Sequence, residues 1–233
     1  MTQKSRVVVF DLDDTLYKEH DYLLSAYREI ADRIESCYGL KGIFDRMCQW
    51  WQDGENVFQC LINYCKPSTV NHQPSSVNRK LSTVNNLLEL YRSHVPAIRL
   101  DEDTKHLLDR LHPHDVLGLI TDGRSLTQRH KIEALGLSAY MDEQDVLISE
   151  ETGFEKPSDE PFRHFMERYP SRTYYYIGDN PAKDFVSPNR LGWTTVCLLD
   201  DGRNIHPQDF SLSQQMLPQH RISQLSEIEN III

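Results

Sequence analysis

The strongest constraint on the fold is an alternation. Short apolar runs at residues 7–10, 116–120, 146–149, 174–177 and 194–199 each read as a buried strand. From residue 116 onward, helical patterns separate them at close spacing. Residues 126–135 carry a helix, with Ser125 and Gln128 as a capping box and Gly136 as its stop. Phe162, Phe165, Met166 and Tyr169 fall at i, i+3, i+4 and i+7, so 161–169 is helical with Pro161 in its first turn. A further helix spans 182–191 and ends at Gly192. Strands and helices alternating in this way imply right-handed crossovers. The expected fold class is therefore α/β, a mostly parallel sheet with helices on both faces.

Residues 18–97 interrupt the alternation. Leu23, Ala26, Tyr27, Ile30, Ile34 and Cys37 follow helical spacing up to Gly39. Trp50, Trp51, Val57, Phe58, Leu61 and Ile62 mark a second apolar helical region, and Leu81, Val84, Leu87, Leu88 and Tyr91 a third. Residues 66–78, rich in Pro, Ser and Asn, read as a loop. The sequence thus predicts a core built from 1–17 and 98–233 with a helical insertion at 18–97. The segment 203–219 reads as polar and irregular, and 221–233 as a last short strand or helix.

Composition narrows the function. A net charge of −10 over 233 residues argues against a nucleic-acid partner, because phosphate-backbone affinity needs a positive face. A small anionic substrate needs only a local cation. No apolar run reaches the roughly 18–20 residues of a membrane span, and the run 7–10 is too short for a signal-peptide core. The expectation is a cytoplasmic protein with no membrane partner. Five cysteines, an odd number without C-x-x-C spacing, agree with buried free thiols rather than a zinc site.

Four short motifs fall at strand ends or in the loop that follows. In Asp11-Leu12-Asp13-Asp14-Thr15, the carboxylates of Asp11 and Asp13, two residues apart, project to one side of an extended chain. Like charges about 4 Å apart repel by roughly 4 kcal/mol at an effective dielectric of 20, so such a pair calls for a cation or a shared proton. Thr121-Asp122-Gly123 offers a hydroxyl and a glycine that lets backbone N–H groups approach an anion near a helix start at Ser125. Lys156, in the loop 153–157, can supply one fixed positive charge. Gly178-Asp179-Asn180-Pro181-Ala182-Lys183-Asp184 places two carboxylates five residues apart, the second expected one turn inside a helix.

Together and in this order, the four motifs resemble the signature of the haloacid dehalogenase superfamily: DxDx(T/V), a strand ending in Thr or Ser, a downstream Lys, and GDxxxxD. The resemblance covers roughly residues 1–17 and 98–200, and the insertion falls where family members carry a helical cap. It implies a Rossmann-like parallel-sheet core with an inserted helical cap domain. By resemblance, Asp11 is the nucleophile that forms an aspartyl-phosphate, and Asp13 protonates the leaving oxygen and then activates water. Mg²⁺ is expected on Asp11, the Asp13 backbone carbonyl and Asp179, with Asp184 supporting them. Thr121, Asp122, Gly123 and Lys156 are expected to bind the phosphoryl group.

The acid at Asp13 favours phosphoryl chemistry over dehalogenation, since the dehalogenase members generally lack it. The expected function is a Mg²⁺-dependent phosphatase of small phosphorylated metabolites, sugar phosphates or nucleotides. A sugar-phosphate mutase shares all four motifs. A phosphoryl-accepting regulatory protein is the alternative from another class, although receiver domains are about half this length and lack GDxxxxD. A phosphonate hydrolase would need a cap lysine, and none of Lys18, Lys41, Lys66 and Lys80 stands out. Tyr17, Tyr22, Trp50 and Trp51 are candidates for contact with a sugar or base, or for packing.

Overall fold

A computed structural model describes residues 6–65 and 83–232. It divides into two compact units, Met1–His20 with Ile98–Ile233, and Asp21–Ala97. The expected loop at 66–78 lies outside the described residues, as do Leu81 and Ile233.

The first unit is a six-stranded, wholly parallel sheet in the order β3-β2-β1-β4-β5-β6. Its strands are β1 Arg6–Phe10, β2 Val116–Thr121, β3 Val146–Ile148, β4 Thr173–Gly178, β5 Thr194–Leu198 and β6 His220–Ile222. Val7, Val8, Val9 and Phe10 are all fully buried, which explains why β1 is continuously apolar rather than alternating: both sheet faces are covered. The chain runs outward from β1 through β2 and β3. It then returns to the other side of β1 with β4. The switch point, where α/β sheets bind ligands beyond the carboxyl ends of their strands, therefore lies between β1 and β4.

One face packs around Phe162, Phe165, Tyr176, Phe185 and Trp193. Phe162 meets Tyr176 and Trp193 edge-on, at 5.0 and 5.4 Å between ring centroids, the geometry that the ring quadrupoles favour. Gly118 in β2 makes room for this core, since a Cβ there would sit 2.4 Å from the Phe165 ring. Beyond β6, a 3₁₀ segment at Leu225–Asn230 buries Ile228, so the expected final element is a strand followed by a tight helical turn.

The second unit holds most of α1 (Glu19–Tyr38), together with α2 (Ile43–Gln52), α3 (Val57–Tyr64) and α4 (Val84–Ser93). The expected single helical region through Trp50 and Ile62 is in fact two helices. Gly54, at φ 72, leaves the helix, and Asn56 restarts it by capping the Gln59 N–H. Tyr22 is buried, meets Tyr91 edge-on and donates its hydroxyl to the Tyr91 carbonyl. Trp50 packs edge-on against Tyr64. The cysteines are free, but only Cys197 is buried; the other four are half-buried. Among the described residues, no helix is long and apolar enough to cross a membrane.

Candidate active site

Each of the four motifs reaches the carboxyl edge of the sheet on its own strand or on the loop that follows it. Asp11 comes directly after β1 and is tied to β4 by its N–H donating to the Ile177 carbonyl at 2.8 Å. Its Oδ1 accepts the Leu12 N–H at 2.8 Å, and its Oδ2 faces the Lys156 ammonium at 2.9 Å. The same ammonium lies 2.8 Å from Asp184 Oδ1 and 3.1 Å from the Tyr176 hydroxyl. Lys156 and Asp184 are completely buried at the side chain. Burial alone would lower the lysine pKa. Asp11 and Asp184 outweigh it and hold the pKa well above its ordinary value.

Asp11, Asp179 and Asp184 can each bring a carboxylate oxygen within 4.8 Å of the others. One buried lysine does not balance three such groups. Burial, reinforced by Asp184 and Asp11, pushes Asp179 up to about 9. Burial likewise raises Asp11 to about 6, although Lys156 opposes it. Three hard oxygen donors carrying surplus negative charge suit a small divalent cation of the Mg²⁺ kind. Gly178 is part of this design, because a Cβ there would lie 2.6 Å from Asp184 Oδ2. Asp184 precedes its helix rather than lying within it: α9 spans only Val186–Arg190. Its Oδ2 accepts the Asn180 N–H at 2.8 Å, closing the turn that carries Asp179.

Asp13 does not join that cluster with its side chain. Its Oδ1 accepts from Lys131 Nζ at 2.7 Å and from the Tyr17 hydroxyl at 2.5 Å, and its Oδ2 accepts from Gln128 Nε2 at 3.0 Å. Burial pushes its pKa up, but these three partners outweigh burial and hold it below the usual carboxylate range.

The phosphate-facing motif differs from expectation in two respects. The helix α6 (Ser125–Ala134) has no capping box, since its cap is Arg124 without a side-chain bond. Glu150 instead accepts the Ser125 N–H at 2.8 Å, and Glu151 accepts the Ser125 hydroxyl. These two carboxylates occupy the helix start that a phosphate could have used. The Gly123 N–H is also engaged, donating to Ser149 Oγ at 3.0 Å. Thr121 is buried and accepts from Gln128 Nε2 at 2.6 Å, which leaves its hydroxyl proton available to donate. Asp122 accepts the Lys156 N–H at 3.1 Å and lies 3.4 Å from Lys183 Nζ, so it steadies the lysine loop.

Sequence reasoning missed Lys131, Tyr176, Lys183 and Asn204, and it gave Tyr17 and Gln128 other roles, a contact with a sugar or base (or packing) and a capping box. Asn204 donates from Nδ2 to Asp179 Oδ2 at 3.0 Å, and Gln208 donates to the Asp179 carbonyl at 2.7 Å. The polar, irregular segment therefore braces a cluster carboxylate. A signal for Gln128 and Lys131 did exist. They share the buried stripe of α6 with Ile132, where apolar residues would be the ordinary choice.

Acidic groups, a buried lysine and a threonine thus converge at the carboxyl edge of a parallel sheet, the edge at which α/β folds bind ligands. The chain belongs to the haloacid dehalogenase-like hydrolases, whose family profile matches residues 5–192. It is similar to a glyceraldehyde 3-phosphate phosphatase of Methanocaldococcus jannaschii, 26% identical over 97% of this chain and 96% of that one. It is also similar to the pyrimidine 5'-nucleotidase YjjG of Escherichia coli, 29% identical over 54% of this chain and 53% of that protein. A superfamily hydrolase structure from Geobacter sulfurreducens shares the fold, with a TM-score of 0.64 at 18% identity, covering 100% of this chain and 98% of that one.

Proposed function

We propose that this hydrolase is a Mg²⁺-dependent phosphatase of small phosphate monoesters acting through an aspartyl-phosphate on Asp11. The observation that carries the reading is the placement of Asp11. Its carboxylate lies against Lys156, shares a pocket with Asp179 and Asp184, and has a second acid, Asp13, two residues away. Two of the similar proteins are a glyceraldehyde 3-phosphate phosphatase and a pyrimidine 5'-nucleotidase, which supports small monoesters as the substrate class.

Asp11 attacks phosphorus, the P–O bond to the ester oxygen breaks, and Asp13 gives that oxygen a proton. Water then attacks the aspartyl-phosphate, and Asp13 takes its proton as the P–O bond to Asp11 breaks. Inorganic phosphate leaves, and the Asp11 carboxylate is restored. Asp13 begins with a lowered pKa. An arriving phosphate dianion favours its neutral form, which the first step needs. Lys156 keeps Asp11 oriented, and the Thr121 hydroxyl donates to a phosphoryl oxygen. Asp11, Asp179 and Asp184, together with the Asp13 backbone carbonyl that the family resemblance adds, would hold Mg²⁺. When bound, the ion neutralises the clustered carboxylates and draws charge from the phosphoryl oxygens.

The test is intact-mass analysis of Asp13→Asn protein quenched rapidly after mixing with an aryl phosphate and Mg²⁺. One added phosphoryl group is expected, and it should be absent from Asp11→Asn/Asp13→Asn. No adduct, with turnover retained in the single variants Asp13→Asn and Asp11→Asn, would rule the mechanism out. Choice among esters is assigned to residues 21–97, following the resemblance to capped members. Excising that unit should flatten the ranking across a panel of phosphorylated metabolites, and an unchanged ranking would place specificity elsewhere.

A further inference from the structure

We propose that Lys131, Gln128 and Tyr17 are positioning residues that fix the Asp13 carboxyl group for proton transfer. The proposal rests on the acid/base reading of Asp13. Both carboxyl oxygens are engaged: Oδ1 by Lys131 Nζ at 2.7 Å and the Tyr17 hydroxyl at 2.5 Å, Oδ2 by Gln128 Nε2 at 3.0 Å. Two points of attachment fix the carboxyl plane as well as its location. The partners come from different places, Tyr17 from four residues along the chain and the other two from α6, so the group is held from more than one direction.

Gln128 does more than hold Asp13. Its amide nitrogen carries two hydrogens. One goes to Asp13 Oδ2 and the other to Thr121 Oγ1 at 2.6 Å. A single side chain thereby sets the spacing between the acid after β1 and the hydroxyl at the end of β2. In the proposed reaction these two must address the ester oxygen and a phosphoryl oxygen of one substrate. Misplacing a reacting group by about 1 Å can cost roughly 10²-fold in rate.

Burial points the same way. Gln128 and Lys131 are 2% and 3% exposed on a helix stripe where leucine would pack without penalty. Taking an ammonium out of water is costly, and the pairing regains this only with good geometry. Glu19 lies 3.8 Å from Lys131 Nζ, but burial and the nearby Asp13 push its pKa up to about 8, so Asp13 is the main counter-charge; the Tyr17 ring lies 6.0 Å from the ammonium. This costly arrangement is centred on Asp13, not on the Asp11–Lys156–Asp184 group. The two carboxylates of the first motif therefore have separate supports.

A positioning role differs from a purely structural one in its dependence on the leaving group. Because kcat/KM reports steps up to leaving-group departure, it senses the proton from Asp13 for an alkyl phosphate but much less for 4-nitrophenyl phosphate. The experiment measures kcat/KM for both esters in the parent, Asp13→Asn, Lys131→Met, Gln128→Leu and Tyr17→Phe. The aryl-to-alkyl ratio should rise about tenfold or more in Lys131→Met and Gln128→Leu, by a smaller factor in Tyr17→Phe, and most in Asp13→Asn. Adding Lys131→Met to Asp13→Asn should not raise the ratio further, because the lysine acts through the carboxyl group. If Asp13→Asn shifts the ratio while the three partner variants stay within twofold of the parent, the positioning proposal is overturned and the acid/base reading stands. If Asp13→Asn leaves the ratio unchanged, the acid/base reading fails and the proposal falls with it. Should Lys131→Met not fold, Lys131→Arg and Tyr17→Phe are judged by the same ratio.

Discussion

The two units bury polar groups for different ends. In the sheet unit, Asp11, Asp179, Asp184, Lys131 and Lys156 are all buried and converge at one edge. In the helical unit, the described polar contacts are of an ordinary structural kind. Asn56 and Thr83 cap helices, Glu35 accepts the Ile43 N–H, and Glu29 pairs with Arg33 one turn along α1. Buried charge that packing does not require is expensive. Its concentration at one sheet edge separates a site built for chemistry from a unit whose described polar contacts serve its own helices.

The largest expected break of that contrast is Asp11→Asn. Turnover should fall by roughly 10⁴-fold or more, while the melting temperature holds or rises, because one of three repelling carboxylates is removed. Phosphate release and thermal unfolding on the same sample check both halves. Lys156→Met should come next and should damage both properties. It leaves Asp11 and Asp184 buried without their cation, a loss of roughly 3–5 kcal/mol of stability, and should slow turnover by about 10²–10³-fold. A Lys156→Met protein as stable as the parent would show that the cluster is not held together by this lysine.

The contrast also explains what was legible in the sequence. Asp11, Thr121, Lys156 and Asp179 could be placed at one edge because each ends a strand or follows one, and strand ends show as sharp changes from apolar to polar. From sequence, Gln128 reads as the capping-box partner of Ser125, because a Ser-x-x-Gln spacing is local. Its real partners, Asp13 and Thr121, lie 115 and 7 residues away, and no local pattern records the first of these contacts. Asn204 was hidden for the same reason, 25 residues from Asp179 in a segment without periodicity. Asn204→Ala should raise the Mg²⁺ concentration needed for half-maximal activity by roughly tenfold, since groups that orient a ligand carboxylate typically tune metal affinity on that scale. Activity at saturating Mg²⁺ should change little, and an unchanged Mg²⁺ requirement would leave Asn204 as a tether of its own segment only.

The smallest effect is expected in the helical unit. His94 is buried and joins α1 through two contacts, its Nε2 with Ser25 Oγ at 2.7 Å and its Nδ1 with Glu29. Partial burial raises the Glu29 pKa, but the bonds from His94 and Arg33 outweigh it and hold the carboxyl below its ordinary 4.5. A depressed carboxyl pKa stabilises the fold fully above the unfolded value. That stabilisation is lost as pH falls below about 4.5 through the lowered folded value. Because Glu29 is about one-third exposed, its contribution should be no more than about 1 kcal/mol. Glu29→Gln should therefore lower the melting temperature slightly at neutral pH. The difference from the parent should vanish toward acid, and the aryl-to-alkyl ratio of kcat/KM should not change. If that ratio moves with Glu29, the charge pair in the helical unit takes part in the chemistry, and the division of labour between the two units fails.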